Sequence, residues 1–89
     1  MKEPYLEVTF RQGRPIAAYL YLQRRPEEKS YRTSTAEPGL VIDFNRGEEA
    51  IGIEITAPTK VTVAALNKVL RSLGFPPVTQ SDLAPLQAA

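Results

Sequence analysis

Residues 5–11 read Tyr-Leu-Glu-Val-Thr-Phe-Arg, and residues 16–23 read Ile-Ala-Ala-Tyr-Leu-Tyr-Leu-Gln. Both stretches alternate. Leu6, Val8 and Phe10 point one way, and Tyr5, Glu7, Thr9 and Arg11 the other. Ile16, Ala18, Leu20 and Leu22 oppose Ala17, Tyr19, Tyr21 and Gln23. A period of two is that of a half-buried strand. Gln12-Gly13-Arg14 lies between them and suits a three-residue hairpin loop. The shared parity of the apolar sets predicts Leu6 opposite Leu20, Val8 opposite Ala18 and Phe10 opposite Ile16. The other face then pairs Tyr5 with Tyr21 and Glu7 with Tyr19. A slip by one residue would set Tyr and Glu against the core, so the register is well specified.

Working outward, residues 24–30 form a polar loop, and Tyr31–Ala36 reads as a weak third strand. Glu37-Pro38-Gly39-Leu40 has the type II turn signature, with Pro presetting φ and Gly supplying the positive φ. Leu40, Ile42 and Phe44 line the core face of a fourth strand, and Ile51, Ile53 and Ile55 that of a fifth. Pairing them in that order sets Asp43 opposite Gly52, Val41 opposite Glu54 and Asn45 opposite Ala50, with a loop at residues 46–49. The period then changes. Leu66, Val69, Leu70 and Leu73 line one helix face. Thr62 suits the N-cap, Gly74 the stop, and Pro76-Pro77 cannot continue a helix. In the remaining segment Phe75, Val78, Leu83 and Leu86 could dock, and Ser81-Asp82 could cap a short helical turn.

The expected fold class is α+β: an antiparallel β-meander of about five strands with one C-terminal amphipathic α-helix packed on one face. A single domain spans residues 1–89, with the meander at 5–56, the helix at 62–74 and an apolar, Pro-containing tail at 75–89.

The chain has 89 residues, of which 43% are hydrophobic and 24% charged, and it contains no Cys, His or Trp. Surface scaling lets a chain of this size bury about 64% of its unfolded area, enough for one core. Without Cys there is no disulfide frame or thiolate nucleophile, and without His no imidazole base or Ser-His-Asp triad. No cofactor is expected. Eleven basic residues oppose ten acidic ones, a net charge of +1 that exerts no long-range pull on nucleic acid. No apolar run could span a membrane, and the opening MKEPYLEVTF lacks a secretory apolar stretch. A soluble cytoplasmic protein is expected, with neither nucleic acid nor membrane as partner.

Three groups of residues invite a functional reading. Asp43, Asn45, Gly47 and Glu49 place oxygen ligands on alternate residues as a calcium loop does, but Asn and Gly are also what a hairpin tip requires. Asp43, Glu54 and Glu7 could work as paired carboxylates or hold magnesium, against the simpler reading of a solvated strand face. Asp43, Asn45 and Glu54 are thus the metal or ligand candidates. Basic residues Arg24, Arg25, Lys29, Arg32 and Arg46 gather near one end of the sheet, but Glu27, Glu28, Glu48 and Glu49 mix with them. The third group is aromatic. Tyr5, Tyr19 and Tyr21 fall on the face opposite the helix, with Val41 beside them and Tyr31 as an expected fourth member. Aromatic residues with little charge between them suit a contact surface.

The runs Ala17-Ala18-Tyr19-Leu20-Tyr21-Leu22, Ser30-Tyr31-Arg32-Thr33, Gly39-Leu40-Val41-Ile42-Asp43-Phe44 and Gly52-Ile53-Glu54-Ile55 resemble a small bacterial domain family of unknown function. Its members read roughly D-A-L-Y-I-R-L, then G-V-L-V-D-Y-D, then V-G-I-E-I-L, and the resemblance covers about residues 5–60. The chain departs from that pattern at Ala17 and Asn45, where the family often has Asp. Both changes remove a carboxylate. The resemblance implies a small α+β fold and no catalytic residues. Because members are often encoded beside small toxin-like proteins, it also implies an antitoxin-like or partner-binding role.

The expected function is therefore a non-enzymatic interaction module, forming a homodimer or binding another protein through Tyr5, Tyr19, Tyr21, Tyr31 and Val41, or through the tail. The alternative is a small metal- or ligand-binding domain using Asp43 and Glu54.

Overall fold

The computed structural model describes residues 5–23 and 28–87. The strands are β1 (Tyr5–Arg11), β2 (Arg14–Tyr21), β3 (Arg32–Glu37), β4 (Leu40–Phe44) and β5 (Ala50–Ile55). They form one sheet in the order β1-β2-β5-β4-β3, with every neighbouring pair antiparallel. An α+β architecture holds, but the meander does not. Only β3, β4 and β5 follow one another across the sheet, and the β1–β2 hairpin joins at the free side of β5. Burial explains the order. A meander in chain order would place β3 at the centre, yet Arg32–Ala36 are all exposed. The Ile-rich β5 takes the centre instead, with five of its six residues buried.

Leu6↔Leu20, Val8↔Ala18, Tyr5↔Tyr21 and Glu7↔Tyr19 pair as the alternation requires. Phe10 does not meet Ile16. The register shifts after Thr9, Phe10 faces Pro15, and Ile16 is the extra residue of a bulge on β2. The turn decides this. Gln12 (φ 52°) and Gly13 (φ 78°) both take left-handed backbone, so the loop is a two-residue primed turn instead of a three-residue one. Phe10 and Ile16 stay about half exposed, while Pro15 is buried.

The second hairpin shows the same kind of departure. Leu40↔Ile55, Val41↔Glu54, Ile42↔Ile53 and Asp43↔Gly52 pair as expected, but Phe44 faces Ala50 and Ile51 is extra. The Ile51 carbonyl accepts the Leu22 N–H at 3.1 Å. The loop therefore runs over 45–49, with Glu48 in left-handed backbone at φ 65°.

Helix α1 (Val63–Ser72) begins at Thr62, whose Oγ1 accepts the Ala65 N–H at 3.1 Å. It ends at Gly74 (φ 81°), where the Gly74 N–H reaches the Arg71 carbonyl and the Phe75 N–H the Leu70 carbonyl, a Schellman stop. Its Leu66, Val69 and Leu70 are buried against Ala18, Leu20, Leu22, Leu40, Ile42, Ile53 and Ile55.

This helix is not C-terminal. A 3₁₀ turn at Ser81–Leu83 and a short helix α2 (Ala84–Gln87) follow, and Leu83 and Leu86 are fully buried in the same core. Thr79, not Ser81, completes the cap. The Thr79 N–H donates to the Asp82 carboxylate at 2.8 Å and the Asp82 N–H to the Thr79 hydroxyl at 3.2 Å. Asn67 of α1 clamps the segment through both sides of its amide, donating to the Val78 carbonyl at 3.0 Å and accepting its N–H at 2.8 Å. The tail is thus part of the chain's own core, on the helix side of the sheet. Among the described residues no helix is long and apolar enough to cross a membrane.

Candidate functional site

With α1 and the tail on one side, the other side of the sheet carries the residues that face away from the core. β1 contributes Tyr5 and Glu7, β2 contributes Tyr19 and Tyr21, β5 contributes Gly52 and Glu54, and β4 contributes Val41 and Asp43. The pairing Tyr5↔Tyr21 brings two rings together across the strands. They stack with centroids 4.7 Å apart and planes 13° from parallel. Tyr19 meets Tyr21 edge to face, also at 4.7 Å. Such geometries suit the aromatic quadrupole.

The hydroxyls are tied down within the face. Tyr21 donates to the Glu7 carboxylate at 3.1 Å, and Tyr19 to the Asp43 carboxylate at 2.7 Å. Tyr19 reaches Asp43 by crossing the whole width of β5, and the strand is open at the crossing point because residue 52 is glycine. A β-carbon there would collide with the Tyr19 ring. Glycine inside an apolar strand marks a close approach. That signal is present in Ile51-Gly52-Ile53, although the sequence reading set Gly52 only opposite Asp43.

Tyr31 stands apart from this cluster. It precedes the edge strand β3, is 59% exposed, and lies under the Arg46 guanidinium at 5.1 Å. Val41 is half-buried opposite the exposed Glu54. The carboxylates Asp43 and Glu54 are diagonal neighbours, as the pairing requires, but Asp43 already serves the Tyr19 hydroxyl. Asn45 closes the hairpin tip. Its Oδ1 accepts the Glu49 N–H at 2.9 Å, and its Nδ2 donates to Glu49 at 3.0 Å and to Glu28 at 3.4 Å. Among the described residues no group of three or more acidic side chains gathers as a metal site would.

Of the basic residues, Arg24 and Arg25 lie outside the described residues, as does Glu27. Arg32 forms an ion pair with Glu48 at 2.8 Å and covers the Phe44 ring at 4.1 Å. That hydrogen bond is the main cause of a raised Arg32 pKa and of a Glu48 carboxyl held below its usual range. Both groups are solvated, so the pair adds little to stability.

One family model matches the segment that runs from within β2 to just past β5. Residues 17–57 match the model of DUF2283, a protein family of unknown function. The resemblance read from the sequence holds over this shorter span. The DUF2283 match begins within β2 and ends after β5, so it takes in Tyr19, Tyr21, Asp43 and Gly52 and leaves out Tyr5, α1 and the tail. No curated protein and no solved structure matches the chain.

Proposed function

We propose that this chain is a non-enzymatic protein–protein interaction module acting in the cytoplasm, with the tyrosine face as its contact surface. The observation that carries this reading is the continuous run of Tyr5, Tyr21 and Tyr19 rings on the side of the sheet that α1 and the tail leave open. Aromatic side chains dominate interface cores. Here Glu7 and Asp43 hold two of the rings in place before any partner arrives, which lowers the ordering cost of binding. An antitoxin-like role is the form of this reading that the resemblance implies, with a small toxin-like protein as the partner.

The test is capture of the protein encoded by the gene beside this chain's own in its native host, which this reading requires to be a small toxin. The wild-type chain should bind it and relieve its toxicity, and Tyr5→Ser with Tyr21→Ser should lose both properties while keeping the circular dichroism spectrum. Equal binding by the double variant would remove the tyrosine face from consideration.

A further inference from the structure

The sheet has two edges, and they differ. β3 is polar, is exposed throughout Arg32–Ala36, and carries a register irregularity between Thr35 and Glu37. Those features discourage strand addition. β1 is also mostly exposed and its pairing with β2 shifts register after Thr9, but the extra residue there is Ile16 on β2, so the β1 edge itself is not bulged as β3 is at Ala36. It offers seven residues without Pro or Lys, it is the non-bulged partner of its hairpin, and among the described residues no strand pairs with its outer side.

The hairpin turn sets which main-chain groups β1 presents. A two-residue turn at Gln12-Gly13 makes Arg11 and Arg14 a hydrogen-bonded pair. Odd-numbered residues of β1 therefore direct their N–H and C=O groups at β2. Leu6, Val8 and Phe10 turn theirs to the open edge.

Phe10 is 49% exposed and belongs to no part of the core cluster. A few residues away, on the core side of the same edge, a groove of about 470 Å³ is lined mainly by Leu6, Leu20, Pro76, Pro77 and Leu83, with Tyr5, Val78 and the acidic Asp82 also in its wall. This edge of the sheet thus carries both an uncovered phenyl ring and a mostly apolar recess.

We infer that two copies of this chain join through β1, antiparallel and centred on Val8, to make one continuous sheet. In that register Leu6, Val8 and Phe10 of each copy donate and accept main-chain hydrogen bonds across the join. Phe10 of the second copy stands opposite Leu6 and enters the groove, and the two-fold axis repeats the contact. On the tyrosine face Tyr5 meets Arg11 of the second copy, a cation–π pairing, and Glu7 meets Thr9. No like charges oppose each other. The join shares Tyr5 with the tyrosine face, leaves Tyr19 and Tyr21 to a partner, and places two such faces on one surface.

Light scattering after size exclusion should show a concentration-dependent dimer for the wild type. Phe10→Lys should raise its dissociation constant by about tenfold or more with the melting temperature unchanged, because an anchoring aromatic is lost and the core is not touched. The chain has no cysteine, so engineered thiols report the register. Glu7 and Thr9 of the second copy face each other with Cα atoms about 4.5 Å apart, within disulfide reach. Mixed Glu7→Cys and Thr9→Cys chains should form a disulfide-linked heterodimer on oxidation. A wild-type monomer at millimolar concentration, or a dimer indifferent to Phe10→Lys, overturns the inference. So does cross-linking of Thr9→Cys chains only with themselves, which would mark a different register. A dimer lost with Tyr21→Ser but kept with Phe10→Lys overturns it as well, and leaves the tyrosine face as the contact surface.

Discussion

The Tyr19 ring occupies the space that a β-carbon on Gly52 would fill. Tyr19 lies on β2 and its hydroxyl partner Asp43 on β4, so the side chain must bridge β5, and only glycine leaves room. Replacing a strand glycine by alanine would ordinarily help stability through backbone entropy. Gly52→Ala should instead cost about 1–3 kcal/mol, because the ring must move and its hydrogen bond is lost. Urea unfolding measures the loss. In a Tyr19→Ala background most of that cost should vanish, and a double-mutant cycle with simple additivity would refute the bridge.

The Asn67 amide supplies both main-chain hydrogen bonds of Val78. Asn67→Ala leaves that N–H and C=O without their protein partner and should destabilise the chain by about 1–3 kcal/mol. Hydrogen exchange should show the effect first at Val78 and then across Leu83 and Leu86. Uniform loss of protection over the whole sheet, with no local step, would argue against a clamp.

Asp82 titrates below the ordinary carboxyl range, chiefly because its carboxylate accepts the Thr79 main-chain N–H, with the Thr79 side chain adding to it. A lowered native pKa favours the charged, folded form. The contribution is complete above the ordinary Asp value of ~3.9 and is lost as pH falls through the lowered native value. The Thr79 amide should therefore be protected at neutral pH and released in acid, and Asp82→Ala should remove the pH step. A carboxyl carbon shift that titrates at the ordinary value would contradict the cap.

Gln12 holds left-handed backbone at the first position of the β1–β2 turn. Asparagine tolerates that conformation better, and Asn-Gly is the preferred pair for such turns. Gln12→Asn should stabilise the chain by about 0.5 kcal/mol, raising the melting temperature by ~2–4 °C in a domain of this size. A fall in melting temperature would show that the turn type is wrong.

The faces of the sheet were legible in the sequence because alternation is a local property. It placed Leu6, Leu20, Ile42 and Ile53 inside and Tyr5, Tyr19, Tyr21 and Asp43 outside. Strand order was not legible. Parity is satisfied whether β2 lies beside β3 or beside β5, and what separates them is burial summed over a whole strand. Thr33, Ser34 and Thr35 already hinted that β3 could not sit in the middle. The bulges at Ile16 and Ile51 escaped for a different reason. Each follows from a turn that takes one residue more or fewer than the alternation suggests, and apolar residues continue through both places. Of the tyrosines, the three inside regular strands were placed correctly. Tyr31, beyond the end of β3, was drawn to Arg46 instead.

The central position of β5 has a consequence for the chain as it leaves the ribosome. The β1–β2 hairpin emerges first, but the strand it must lie against ends at Ile55. Until that residue clears the exit tunnel, both sides of the newborn hairpin are without a neighbour. Its tyrosines and leucines then face water together. Maturation of this small protein should thus be a late event, gated by translation of its second half more than by the speed with which its first half can coil.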